Sequence, residues 1–210
     1  PSLCESEANK AKLVAVWRKI AERYANNPWV AGYDLLNETN WTFPEGNNSQ
    51  LRALYSRLTT AIREVDQNHM LIIEGNWFAN DFSGLTPAWD NNMCYSFHKY
   101  WTVNNTASIQ WVLDLRNNTN RPIWLGESGE NSNRWFTDCI ELMEKNNIGW
   151  SFWPVKKSGI NNVLKVTTNS DYTNLINYWK GTVSKPTVDN AFQAVMTFAN
   201  NHKLENCVVQ

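Results

Sequence analysis

The amino-acid sequence predicts an α/β fold: an incomplete (β/α) barrel of the TIM type, with about five parallel strands and surrounding helices. Three observations predict it. Strand-like segments start near residues 29, 70, 93, 122 and 149, the interval at which a chain leaves one strand and returns to a parallel neighbour. These segments are nearly continuous apolar runs, the mark of strands buried on both faces. Polar landmarks gather at their carboxyl ends, and no G-x-G-x-x-G or G-x-x-x-x-G-K-[ST] pattern follows any of them, which disfavours a doubly wound nucleotide fold.

Residues 5–24 form the first helix, in which Leu13, Val16, Trp17, Ile20 and Tyr24 recur at spacings of three and four and define the inward face; Ser2 or Ser6 caps it. Asn26-Asn27-Pro28 breaks the helix, and 29–36 is the first strand, ending in Asn37-Glu38. After a loop, a second helix turns Leu51, Leu54, Tyr55, Leu58, Ile62 and Val65 inward. Residues 70–75 are the second strand, and 78–92, rich in turn residues, are loop or short helix. The third strand, 93–97, carries His98-Lys99-Tyr100-Trp101 at its carboxyl end. A helix over 107–116 with Ile109, Val112 and Leu113 inward precedes the fourth strand, 122–125, which closes on Gly126-Glu127. Residues 135–146 are helical, 149–153 are the fifth strand, and a long loop leads to a final helix around 191–198. No repeat, low-complexity tract or linker interrupts the chain, so residues 1–210 read as a single domain.

Composition narrows the function classes. The chain is 42% hydrophobic and 19% charged, an ordinary globular balance. A net charge of −1 without a Lys/Arg block offers no footprint for nucleic acid or an anionic membrane. No apolar run approaches the length of about 18 residues that a membrane span requires. Cys4, Cys94, Cys139 and Cys207 lie far apart, with neither zinc spacing nor a redox pair; Cys94 and Cys139 read as buried thiols. Asn-x-Ser/Thr triplets at Asn37, Asn40, Asn47, Asn104 and Asn117 arise as readily by chance in so Asn-rich a chain. Tryptophan is the outlier at 12 residues. Aromatic faces stack on the C–H faces of sugar rings as well as serving packing, and the spacing assigns roughly half of these tryptophans to the core.

The chemistry lies in two segments, Asp34-Leu-Leu-Asn-Glu38 and Ile123-Trp-Leu-Gly-Glu127, each of which ends an apolar strand with a carboxylate. Cleaving a glycosidic bond needs one carboxyl group that is protonated and one that is ionised, held rigidly across the bond. Two glutamates at the mouths of separate strands meet that requirement. His98 and Tyr100 alternate at the third strand's end and so share a rim with them, and Trp153 ends the fifth strand with a sugar-sized ring. Taken singly, each is as readily a solvated charge or a packing residue.

Tyr33-Asp-Leu-Leu-Asn-Glu38, His98-Lys-Tyr100, Leu125-Gly-Glu127 and Gly149-Trp-Ser-Phe-Trp153 together resemble the carboxyl-terminal portion of glycoside hydrolase family 5, the cellulase-type endoglycanases. The resemblance implies a retaining endo-β-1,4-glucanase acting on cellulose or related β-glucans. Glu38 would be the general acid/base, Glu127 the nucleophile, and Asn37 the donor to the sugar 2-hydroxyl. His98 and Tyr100 would line the cleaving subsite, Tyr100 bonding the nucleophile, and Trp153 would be a stacking platform. It implies no metal or organic cofactor, a polysaccharide or oligosaccharide partner, and a secreted or periplasmic location of bacterial type.

The resemblance also implies that the chain corresponds to strands four to eight of the family barrel. Five strands leave two unpaired edges. The expected cover is a second copy in a two-fold homodimer, or a complementing amino-terminal half. Two other readings stay open: a β-mannanase or xyloglucanase using the same carboxylates, and a weakly active glycan-binding half-barrel whose Trp41, Trp77, Trp101 and Trp153 serve binding.

Overall fold

The structure is a computed structural model and describes residues 3–209. The chain divides into two compact units, the first spanning Pro1–Glu127 and Leu142–Ser151, the second Ser128–Glu141 and Phe152–Gln210.

The first unit is built on five parallel strands, β1 (Gly32–Asp34), β2 (Met70–Glu74), β3 (Met93–Lys99), β4 (Ile123–Ser128) and β5 (Gly149–Trp150), in the spatial order β1-β2-β3-β4-β5. Spatial order equals chain order, so each crossover advances one strand in the same sense. That winding produces a barrel wall, here a half-barrel, rather than a sheet with a switch point. Helices α1 (Glu7–Tyr24), α2 (Ser49–Arg63) and α4 (Gln110–Thr119) fill connections of this unit, with a short turn labelled α3 (Asn76–Ala79) after β2; the boundary between the units at Leu142 falls within α5 (Asn133–Lys145).

The apolar pattern explains the packing. Leu51, Leu54, Leu58 and Ile62 fall on one face of α2 and are fully buried, as are Leu71 and Ile73 of β2. All seven residues of β3 are buried, as expected for a central strand covered on both faces. The Ser6 hydroxyl accepts from the Asn9 N–H and caps α1; Ser2 lies outside the described residues. Cross-helix ion pairs Arg57–Glu7 (2.9 Å) and Arg18–Glu64 (3.1 Å) trim the seam of α1 on α2. The amino end of the sheet is tied by a buried network: Asp66 accepts from the Tyr33 hydroxyl and meets His69 Nδ1, both at 2.6 Å.

Several sequence expectations are corrected. β1 is three residues long, and Trp29, expected to open it, lies outside it and is 92% exposed. Val16 of α1 also faces water, and Ala21 is the fully buried position of that helix. β5 stops at Trp150. None of the tryptophans is fully buried. The indole N–H needs an acceptor, and Trp17 reaches the Leu35 carbonyl and Trp89 the Thr59 hydroxyl from half-buried positions. Cys94, Cys139 and Cys207 are thiols outside any disulfide, the first two buried as expected.

The second unit replaces the expected long loop with structure. Two-residue strands β6 (Lys156–Lys157), β7 (Leu164–Lys165) and β8 (Val208–Val209) make a small mixed sheet. Helices α6 (Ser170–Trp179) and α7 (Val188–Asn201) pack through Tyr172 stacked on Phe198, centroids 3.8 Å apart. Asn169 and Thr187 cap them.

Candidate functional site

The carboxyl ends of β1 to β4 converge on His98. This ring, 4% exposed, sits near the end of β3 and is held from both sides: Nδ1 lies 2.7 Å from Glu38 Oε1, and Nε2 lies 3.3 Å from Glu74 Oε1. Glu127 Oε2, at the end of β4, stands 3.6 Å from the same Nδ1 and accepts the Tyr100 hydroxyl at 2.5 Å. Ligand atoms of Glu38, His98 and Glu127 all fall within 4.8 Å of one another. The two glutamates singled out by the sequence therefore face each other in one place.

Local sequence explains how they arrive there. Glu38 has φ 46, a left-handed conformation that costs about 1–2 kcal/mol in a non-glycine residue, and its N–H is anchored on Glu74 Oε2 at 2.6 Å. That turn lifts the side chain off the line of β1 and over the mouth. The glycine in Leu125-Gly126-Glu127 makes room for the neighbouring strand: a Cβ on Gly126 would sit 2.3 Å from Ser96 Oγ and 3.3 Å from His98 Nε2. Alternation along β3 then puts Ser96 and His98 on the same side, and Tyr100 follows one residue past the strand's end.

Charge is unbalanced in this cluster. Burial disfavours the His98 cation, but its hydrogen bonds to Glu74 and Glu38 and the charges of Glu74 and Glu127 outweigh that and raise its pKa to about 9. The ring is an imidazolium at neutral pH. Asp34, at the end of β1, is pushed up to about 8, first by desolvation and then by the charge of Glu74, to which it also hydrogen-bonds. Its place on an edge strand leaves it accessible to solvent even though protein crowds it on one side. The spacing of Glu38, His98 and Glu127 would admit a cation.

Comparison with known proteins decides the family. Residues 1–159 match the cellulase family, glycosyl hydrolase family 5. The chain belongs to that family. Among curated relatives, this family 5 chain is 27% identical over 201 residues to a β-xylosidase of Phanerodontia chrysosporium, covering 78% of the chain and 41% of the relative. It is 23% identical over 218 residues to endoglucanase C of Acetivibrio thermocellus, covering 74% and 62%. A solved endoglucanase superposes with a TM-score of 0.63 at 18% identity, covering 77% of this chain and 63% of that one, a likeness of fold. The family 5 chain thus spans about two fifths to three fifths of the length of these relatives.

Of the remaining sequence-derived positions, Asn37 is exposed beside Glu38. Trp153 belongs to the second unit, where its N–H donates to the Ser128 carbonyl at 2.7 Å and its ring is 54% exposed. Trp77 and Trp101 are exposed on the turns that follow β2 and β3. Three successive left-handed residues, Trp77, Phe78 and Ala79, make the first of these turns, which the Phe78 N–H ties to the Thr39 carbonyl at 3.1 Å. Sequence reasoning missed Glu74 and Asp34. The signal for Glu74 was present, since Met70-Leu-Ile-Ile-Glu74 ends an apolar strand with a carboxylate as the two chosen segments do. Nothing comparable marks Asp34, which only the neighbouring strand brings beside Glu74.

Proposed function

We propose that this family 5 chain carries the cleavage machinery of a retaining endo-β-1,4-glucanase acting on cellulose or related β-glucans. The observation that supports it most is the approach of Glu38 and Glu127 to within 4.8 Å. Retaining glycosidases hold their carboxyl groups about 5–5.5 Å apart, whereas inverting ones leave room for a water at about 6.5–9.5 Å.

In this reading Glu127 attacks the anomeric carbon while Glu38 protonates the departing glycosidic oxygen, leaving a glycosyl ester on Glu127. Glu38 then takes a proton from water, which attacks the same carbon and releases the sugar with its configuration retained. Tyr100 holds Glu127 in line through its hydroxyl. Asn37 supplies an amide for the sugar 2-hydroxyl. Exposed indoles at Trp77 and Trp101 offer faces for further sugar units, which favours a polymer over a short glycoside. Trp153, carried by the second unit, is a stacking platform for a sugar ring in this proposal.

Residues 1–210 act here as one partial-barrel catalytic domain. Its open strand edges are covered by a second copy or by a complementing amino-terminal half, and the protein works outside the cytoplasm, secreted or periplasmic. Among the described residues, no helix is long and apolar enough to cross a membrane.

The test is hydrolysis of carboxymethylcellulose, lichenan, mannan and xyloglucan by the chain and by Glu127→Gln. The expected result is β-glucan cleavage that Glu127→Gln abolishes while glycan binding persists. Preferential cleavage of mannan or xyloglucan would move the substrate assignment. Residual activity unchanged by the substitution would overturn the nucleophile, and binding without turnover would favour the glycan-binding reading.

A further inference from the structure

We propose that Glu74, backed by the Asp34 carboxyl group, is a positioning residue of the cleavage site: one buried carboxylate fixes both the main chain of Glu38 and the ring of His98. The inference rests on the glycosidase reading of Glu38 and Glu127, and it assigns a task to two residues that the reaction itself does not consume.

Glu74 is 1% exposed, and a buried carboxylate persists only when its oxygens are satisfied. Both are. Oε2 accepts the Glu38 N–H at 2.6 Å, and Oε1 meets His98 Nε2 at 3.3 Å. The first contact holds Glu38 in its left-handed turn, and the second leaves Nδ1 as the ring atom directed at Glu38. Glu74 is itself set by its strand, with its own carbonyl accepting the buried Tyr55 hydroxyl at 2.9 Å. A short side chain from β2 thus links the acid/base on the loop after β1 to the ring on β3.

Charge accounting gives Asp34 its part. The groups facing His98 are Asp34 and Glu38 from β1 and its loop, Glu74 from β2 and Glu127 from β4, with Tyr100, just past β3, bonded to Glu127. Carboxyl groups crowded this closely repel one another when charged. The raised pKa of Asp34 lets it keep its proton at neutral pH and donate to Glu74, which relieves the crowding beside the ring.

The experiment uses Glu74→Gln in the full chain, with the His98 imidazole titrated by NMR and hydrolysis measured on soluble β-glucan. Glutamine keeps the volume and can still accept the Glu38 N–H, but it removes the charge that faces Nε2. We expect the His98 midpoint to fall by more than about one pH unit. We expect kcat to drop by about tenfold or more with KM little changed, the pattern of lost transition-state alignment. A folded Glu74→Gln chain with an unaltered His98 midpoint, or with unaltered kcat, overturns the proposal. If Glu74→Gln does not fold, Asp34→Asn carries the test. Its amide donates to Glu74 as the protonated carboxyl does, so the His98 midpoint stays within about half a unit of wild type; a fall of more than about one unit overturns the role given to the Asp34 proton. The titration needs no turnover. A wild-type chain that hydrolyses nothing counts against the glycosidase reading, and the His98 midpoint then decides on Glu74 alone.

Discussion

One imidazolium shared by three carboxylates is the electrostatic centre of this molecule, and its consequences are visible in stability as well as in chemistry. The folded His98 titrates near 9, above its ordinary 6.5, so the native state binds more protons than the unfolded chain between those values. The stabilisation it contributes is complete below pH 6.5 and is lost as the pH rises through about 9, with a size on the order of 1–3 kcal/mol. Asp34, raised from 3.8 to about 8, acts in the same direction over its own window. Thermal unfolding followed from pH 6.5 to 9 should therefore show a falling midpoint, and a flat or rising one would contradict the charge state assigned to His98. At Tyr100, loss of the hydroxyl frees Glu127 to rotate. Tyr100→Phe should lower kcat on β-glucan by about tenfold to a hundredfold while leaving the melting temperature close to wild type. Equal loss of kcat and of stability would assign the tyrosine to packing instead. At this scale the sequence was informative wherever a strand end carried its polar residue in line, as at Glu38, His98, Tyr100 and Glu127. It was silent on Asp34, whose significance depends on a neighbour 40 residues away along the chain.

Elements differ in how much of themselves they announce. The three-and-four spacing of Leu51, Leu54, Leu58 and Ile62 specified α2 and its buried face, and truncating the middle of that face tests the packing directly. Leu58→Ala should cost about 2–5 kcal/mol in chemical denaturation, since a fully buried leucine leaves a cavity behind. In α6, Tyr172, Leu175, Ile176 and Trp179 carry the same spacing, so this helix, where a long loop is expected, is legible in the sequence. β6, β7 and β8 are two residues each, too short for any period, and only pairing reveals them. In β4 the glycine is an element-level requirement set by the adjacent strand. Gly126→Ala should displace the His98 ring and reduce kcat by about tenfold, with a destabilisation of about 1–3 kcal/mol as a small-to-large change in a tight site. Wild-type kinetics in that variant would show that Ser96 and His98 yield without cost.

For the whole molecule, the parallel order β1 to β5 leaves two strands with one neighbour each in that sheet. Unpaired strand edges invite association, and light scattering at micromolar concentration is the direct check. The second-copy arrangement predicts a particle of two chains, whereas a well-folded monomer would sink it. The α/β class, the parallel strands and the pairing of Glu38 with Glu127 were determined by the sequence alone, because buried parallel strands are apolar throughout and a charge at their end stands out. The ring of carboxyl groups around His98, the anchoring by Glu74, and the second unit with its short strands and two helices were decided only by tertiary structure. Each depends on residues remote in the chain meeting in space, and a linear pattern records period and composition but not which neighbour a side chain will face.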